Sequence, residues 1–349
     1  MTISSDHEAI ARYYGRVLSG TRDLKTDACC DAAGPPAWLR DLAGRIVPEV
    51  SDRFYGCGAP IPPAIEGCTV LDLGCGTGRD AFLCAALAGP RGRVIGVDMT
   101  AEQLAIARRH ADEQTRRLGL PRCNVSFREG YIEDLAAAGI EDASVDVVIS
   151  NCVVNLSPAR ERLFSEVFRV LRPGGELLFS DVFADRRLPA GLREDETLLG
   201  ECLAGAMYFE DLRRTLAGLG VPDVRVVSSR PLRVEDPDLV RKIGPARFSA
   251  VTVRAFRLDD LEDRCEDYGQ IATYRGGIRG QEHRFVLDDH HEFVAEKPEP
   301  VCGNTASMLA GTRLARFFEV RGDRSRHFGL FDCAPAASGA PDGATDGCC

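Results

Sequence analysis

From Thr69 onward the chain repeats one pattern: a short apolar run of strand length, a turn, then a stretch with helical spacing of apolar residues. TVLDLG (69–74) leads through a glycine turn to DAFLCAALA, and RVIGVD (93–98) leads to TAEQLAIARRHADEQTRRLG. VSFREG (125–130) follows, then VDVVISNCV (145–153), the helix ARERLFSEVFRVL, and ELLFSDV (176–182). Thr100 stands where a helix N-cap belongs, with Glu102 and Gln103 in the first turn after it. Pro173, Gly174 and Gly175 stop the helix that precedes the last strand. The fourth run is almost wholly apolar, as a strand covered on both faces must be. Alternation at this spacing specifies a doubly wound, Rossmann-like α/β sheet, mostly parallel.

That domain is expected over residues 66–228. Residues 1–65 read as an N-terminal extension with a helix to about Leu18, a Gly-Pro-Pro break and a second helix from Trp38 to Arg53. The extension ends in YGCGAPIPP, an ordered loop braced by glycine and proline around Cys57. Residues 229–334, with runs such as FSAVTVRAF and HRFVLDD among turn residues, read as a smaller C-terminal α+β domain. Residues 335–349 are small and polar and end in Cys348-Cys349, the composition of a tail.

The turn after the first strand carries Gly74, Gly76, Thr77 and Gly78, which lets a ligand approach the backbone at a helix N-terminus. Dinucleotides use such turns, but their fingerprint wants a third glycine where Arg79 stands. Asp72 on the strand itself repels phosphate and suits a cationic amino group. Asp98 ends the second strand, where an acid accepts ribose hydroxyls. Amino acid, ribose and no phosphate describe S-adenosylmethionine. Met99 beside Asp98, Ile132 and Glu133 after the third strand, and Asn151 at the end of the fourth complete the expected pocket, with Glu133 facing the adenine amino group. On this reading the sheet is of the class I methyltransferase kind.

Fourteen cysteines remain to be explained. A disulfide scaffold does not suit so long a chain without a signal peptide, and zinc-ribbon spacing is absent. Cys68, Cys84 and Cys123 read as small core hydrophobes. Cys152 follows Asn151 over the donor crevice, Cys202 lies in the segment after the fifth strand, and the Cys57 loop can fold over the same mouth. Three convergent thiols beside a methyl donor are poor acids but good ligands for a soft ion. His290-His291 with Asp288-Asp289 reads as a solvated turn, and Cys302, His327 and Cys333 as structural residues.

DLKTDACC, the loop Tyr55-Gly56-Cys57-Gly58, LDLGCGTGRD, ISNCVVNL, GGELLFSDV and GECLAGA occur in this order over residues 12–215. In this string the chain resembles the arsenite S-adenosylmethionine methyltransferases. The resemblance implies trivalent arsenic bound by Cys57, Cys152 and Cys202, with Cys29 as a fourth thiol that takes part in disulfide exchange during turnover. It also implies arsenite or its thiol conjugates as substrate, methylated arsenicals as detoxification products, and a thiol reductant such as glutathione or thioredoxin. Beyond residue 230 the likeness weakens.

The net charge of −10 disfavours nucleic acid and anionic membranes as partners. No run is long and apolar enough to span a bilayer, so a cytoplasmic monomer is expected. Two rivals remain at this stage. One is a methyltransferase of small organic molecules with incidental cysteines. The other is a thiol-rich metalloid sensor without turnover, against which the intact donor pocket argues.

Overall fold

Val70, Leu71, Val147, Val148 and Ile149 are fully buried, because helices cover both faces of the strands that carry them. The computed structural model describes residues 5–14 and 35–332. Cys29, Cys30, Cys348 and Cys349 lie outside the described residues. Among the described residues, three short α-helices precede the sheet: α1 (Ser5–Arg12), α2 (Arg40–Gly44) and α3 (Pro48–Ser51). The single helix expected from Trp38 to Arg53 is therefore broken. Pro48, which has no N–H to donate, stands at the first position of α3 and restarts the helix.

The strands are β1 (Thr69–Leu73), β2 (Arg93–Asp98), β3 (Val125–Glu129), β4 (Val145–Asn151), β5 (Leu171–Ala184), β6 (Met207–Tyr208), β7 (Val224–Pro231) and β8 (Phe248–Phe256). They form one sheet in the order β3-β2-β1-β4-β5-β8-β7, with β6 paired to the end of β5. β1 to β5 run parallel, and β8 runs antiparallel between β5 and β7. Between them stand α4 (Arg79–Ala88), α5 (Ala101–Arg117), α6 (Arg160–Val170), α7 (Glu196–Gly200), α8 (Phe209–Gly218) and α9 (Pro237–Ile243). The doubly wound class read from the sequence is present.

Three details differ. FSAVTVRAF, expected in the C-terminal domain, is β8 and closes the main sheet, so the expected boundary at 228 falls inside β7. We place the division after Phe256 instead. Thr100 sits at the N-cap of α5 but makes no side-chain capping bond. α6 ends at Val170, ahead of Pro173, as the chain enters β5 directly.

The C-terminal part holds β9 (Gln270–Tyr274), β10 (Arg284–Val286), β11 (Glu292–Val294), β12 (Pro298–Val301), α10 (Gly303–Ala310) and β13 (Phe318–Arg321). It has its own core, in which Tyr274, Phe285 and Phe293 ring the Phe318 side chain at 5.1–5.4 Å between centroids. Two buried ion networks tie it to the sheet. Arg254 on β8 donates to Glu176 on β5 at 2.6 Å and to the Leu287 carbonyl, and Arg313 reaches the same Glu176. Arg225 on β7 grips Asp223 with two bonds and Asp288 at 3.1 Å, and Asp288 accepts from His291 at 2.7 Å. Asp288 and His291 are thus part of an interdomain network and not the solvated turn expected of them. Cys123 is exposed instead of buried, Cys68 is half-buried, and Cys84 is buried as read.

Burial opposes ionisation of Glu176, yet the charges of Arg254 and Arg313 hold its carboxyl below the usual range. Glu176→Gln is expected to leave two buried guanidiniums without their anion. It should cost about 3–5 kcal/mol of stability, read from the midpoint of urea unfolding.

Candidate active site

The strand order reverses between β1 and β4, so a crevice opens beyond their C-terminal ends. The glycine turn forms one wall, with positive φ at Gly74, Gly76 and Gly78 (66°, 52° and 88°). Asp98 holds that turn: one carboxylate oxygen accepts from the Gly76 N–H at 2.8 Å and the other from the Thr100 N–H at 2.8 Å. Thr77 donates to the Val50 carbonyl at 2.9 Å, which anchors the turn to the N-terminal extension.

Asp72, Asp80 and Asp98 all line the crevice and are all buried. Burial, then the charges of Asp80 and Asp98, push the Asp72 carboxyl well above its usual range, and burial raises Asp98 as well. Among the described residues, Arg79 pairs with Asp80 at 3.2 Å. Three buried acids side by side raise one another's energy when ionised, and a cationic ligand beside them lowers it. Asp80 was missed in the sequence; its place two residues after Gly78, in the first turn of α4, was the available signal.

Met99, Tyr131 and Ile132 supply apolar wall. Glu133 lines the crevice but is not free: it accepts from Ser157 at 2.5 Å and faces His7 of α1 at 3.4 Å. His7 packs edge-on against Tyr131, so α1 covers this end of the crevice. Nothing in the sequence of α1 announced that role.

The thiols meet at the crevice wall. Cys57 Sγ, Cys152 Sγ and an Asp181 carboxylate oxygen lie within 4.8 Å of one another, all buried. Cys152 also lines the donor crevice. Cys202 belongs to the same apolar cluster and points its thiol at the Cys152 carbonyl, 3.3 Å away. Its sulfur is outside the tightest group. Burial pushes the Cys57 thiol up, with a hydrogen bond from Cys152 pulling the other way. Asp181 accepts backbone N–H groups of Asn155 (3.0 Å) and Val182 (2.8 Å), and burial raises its carboxyl strongly. Sequence reading passed over Asp181, although it stands one residue from the end of the SDV motif.

Close packing sets the Cys57 loop. A side chain at Gly56 would meet the Phe54 ring and the Asn151 amide, and one at Gly58 would sit 2.6 Å from Ser180 Oγ. Asn151 binds this loop with its whole amide: Oδ1 accepts from Cys57 and Gly58, and Nδ2 donates to the Gly58 carbonyl (2.9 Å) and to Asp80 (2.8 Å). It lines the donor crevice as expected, but its hydrogen bonds position the thiol. Cys152 and Cys202 hold φ of 57° and 60°, a region that side-chain-bearing residues seldom occupy. Strain of this kind persists where surrounding structure over-determines a functional side chain.

A parallel sheet with one antiparallel strand, β8, and an acid-lined crevice at its switch point without a phosphate cradle define a class I S-adenosylmethionine-dependent methyltransferase. Family models agree: a methyltransferase domain matches residues 65–220, and an arsenite methyltransferase C-terminal domain matches residues 268–339. The chain is 53% identical to an arsenite methyltransferase of Aquipseudomonas alcaligenes, covering 93% of this chain and 94% of the relative. It is 38% identical to the arsenite methyltransferase of Homo sapiens over 89% of this chain and 83% of that one. A crystal structure of an arsenic(III) S-adenosylmethionine methyltransferase from Chlamydomonas reinhardtii superposes with a TM-score of 0.82 at 50% identity, covering 86% of this chain and all of that one. The chain belongs to the arsenite methyltransferase family.

Asp98→Ala removes the anchor of the glycine turn together with the carboxylate at the end of β2. The expected loss is about 1–3 kcal/mol of S-adenosylmethionine binding, measured by calorimetric titration. Wild-type affinity in that titration would remove Asp98 from the donor site.

Proposed function

We propose that this chain transfers the methyl group of S-adenosylmethionine to trivalent arsenic held by Cys57, Cys152 and Cys202, yielding methylated arsenicals for detoxification. The observation that carries the reading is the position of Cys152. It shares the tight group with Cys57, offers its carbonyl to Cys202, and lines the crevice that would hold the donor.

The crevice fits the donor. Asp72 and Asp80 complement its ammonium group, Asp98 its ribose, and Met99, Ile132 and the Glu133 turn its adenine. When bound, it supplies a sulfonium methyl group, an electrophile that needs no activation from the protein. The protein's task is to present a nucleophile. Trivalent arsenic has a lone pair opposite its three bonds, so three fixed sulfurs would aim that pair. Alignment of this kind is worth up to about 7–11 kcal/mol of barrier.

Loading needs no separate base. As each thiol forms an As–S bond, its proton leaves with one hydroxyl of arsenous acid as water. Buried, neutral thiols suit that exchange. Asp181 completes a geometric trio with Cys57 and Cys152, but a carboxylate is a hard donor and arsenic a soft acceptor. Cys202 is therefore the third ligand in this proposal, and its thiol turns from the Cys152 carbonyl toward the metalloid on binding. Methyl transfer through the lone pair leaves arsenic pentavalent. Cys29 is proposed, on the family resemblance, as the thiol that forms a disulfide with Cys57 as that arsenic accepts two electrons and returns to the trivalent state. Glutathione or thioredoxin then reduces the disulfide by exchange. The rival methyltransferase of small organic molecules has no use for three converging thiols.

Incubation with arsenite, a thiol reductant and methyl-labelled donor, followed by arsenic speciation, tests the whole reading; no label in arsenic would end it. Cys152→Ser and Cys202→Ser should each abolish methylation of arsenite with donor affinity unchanged. Cys68→Ser and Cys123→Ser, at positions outside the site, should keep full activity. A further expectation is that Cys29→Ser binds arsenite normally and methylates it slowly, yet still methylates a monomethylated trivalent substrate. Equal loss on both substrates would return Cys29 to the ligand set.

A further inference from the structure

Behind the segment that carries Cys202 lies a second cavity of about 250 Å³, bounded by α6, the turn at Ala190–Glu194 and β6. Arg160, Arg187 and Arg193 line it, and Asp211 is the one carboxylate among its described lining residues. Asp211 is already engaged. Arg187 grips it with two bonds of 2.6 and 2.7 Å, and Arg214 adds a third at 2.9 Å.

Arg160 is different. Its guanidinium reaches only two backbone carbonyls, those of Asn155 and Gly205, and no carboxylate of the described residues pairs with it. Its Nε is buried without a hydrogen-bond partner. Burial, then the like charge of Arg193, lower its pKa to about 10. Leaving a cationic N–H buried and unpaired is costly. An oxyanion in the cavity would lie beside the Arg160 guanidinium and offset its charge.

The cavity is linked to the thiol group through the Asn155 backbone. The Asn155 carbonyl accepts from Arg160 and Arg193, while its N–H donates to Asp181 at 3.0 Å. Gly205 lines the cavity three residues after Cys202; a side chain there would meet the Asn155 carbonyl at 2.1 Å. A ligand seated on Arg160 is thus separated from the metalloid site by one short segment.

We propose that this cavity seats a carboxylate of a small thiol that carries trivalent arsenic as a thiolate complex and presents it to Cys202. The inference rests on the reading that arsenic is the substrate. A soft ion passes most readily from sulfur to sulfur, and planar carboxylate is what guanidinium binds in two-point fashion. In the transfer, the Cys202 sulfur forms an As–S bond as the carrier's As–S bond breaks. The Cys202 proton leaves on the carrier sulfur, and arsenic stays trivalent throughout.

The test uses the full chain with bound donor and compares two carriers: arsenite premixed with glutathione, which has carboxylates, and with 2-mercaptoethanol, which has none. For Arg160→Met, the KM for glutathione-carried arsenic should rise about tenfold, the scale of losing one charge-assisted hydrogen bond. The KM for mercaptoethanol-carried arsenic, and kcat with either, should stay at wild-type values. S-methylglutathione, with carboxylates but no thiol, should compete with the glutathione complex in the wild type and not in the variant. If Arg160→Met does not fold, Arg193→Gln should give the same carrier-selective effect. Equal losses with both carriers, or none with either, would overturn the proposal and leave Arg160 as a clamp on the segment. Inorganic phosphate competing as well as S-methylglutathione would overturn the carrier and leave a general anion seat. A wild-type chain that methylates arsenic from neither carrier would instead overturn the assigned reaction, and calorimetric binding of S-methylglutathione to wild type and Arg160→Met would then decide the cavity.

Discussion

The side-chain amide of Asn151 joins the two halves of the site. An amide has two acceptor lone pairs and two N–H donors, and here all four are used. Three serve the Cys57 loop and one serves Asp80 in the donor crevice. The chain is otherwise free to place Cys57 anywhere that a Pro- and Gly-braced loop can reach. With Asn151 at the end of β4, next in sequence to Cys152, the two sulfurs are brought to one place by one residue. Substituting a side chain of similar volume that lacked either the donors or the acceptor would leave buried loop groups unpaired, which costs more than the bonds themselves contribute.

Strain is the complement of that bond. Cys152 and Cys202 are two of only five described non-glycine residues with positive φ. Their backbones are held where a glycine would sit more easily, so packing around each must outweigh a penalty of about 1–3 kcal/mol. Both lie in the apolar cluster with Leu198, Leu199 and Leu203, which is fully or nearly fully buried and supplies that packing. The sulfurs gain fixed directions, at the expense of stability that a glycine or an ordinary turn would have kept.

Much of the fold was legible because it depends on periodicity. The five parallel strands and their helices follow apolar spacing that only a doubly wound sheet accommodates. β8 was misplaced because an antiparallel strand far along the chain looks the same whether it closes the main sheet or starts a small one. The cysteines proposed to hold arsenic were legible through their neighbours in sequence, yet what brings them together is tertiary. Positive φ at Cys152, the use of the Asn151 amide and the approach of Asp181 have no local signature. Asp80 and Glu133 show the same limit from two sides. An acid on a helix turn escaped notice although it lines the crevice, and an acid at the right position proved to be engaged by Ser157 and His7.

The N-terminal extension explains why the donor and acceptor halves form one unit. α1 brings His7 against Glu133 and Tyr131 at the crevice, and Tyr14, just after α1, donates to the Gly200 carbonyl at 2.7 Å. Gly200 stands two residues before Cys202, and Gln103 at the start of α5 holds the Tyr14 carbonyl at 2.8 Å. One short segment therefore touches the Glu133 end of the crevice, the helix that follows Asp98 and the chain that carries Cys202. A displacement of α1 large enough to uncover Glu133 also breaks the contact to Gly200. The position of Cys202 and the accessibility of the crevice are consequently not independent variables. Covering both with the same element also keeps water from the thiols and the donor at once, where two separate covers would each need an anchor of their own.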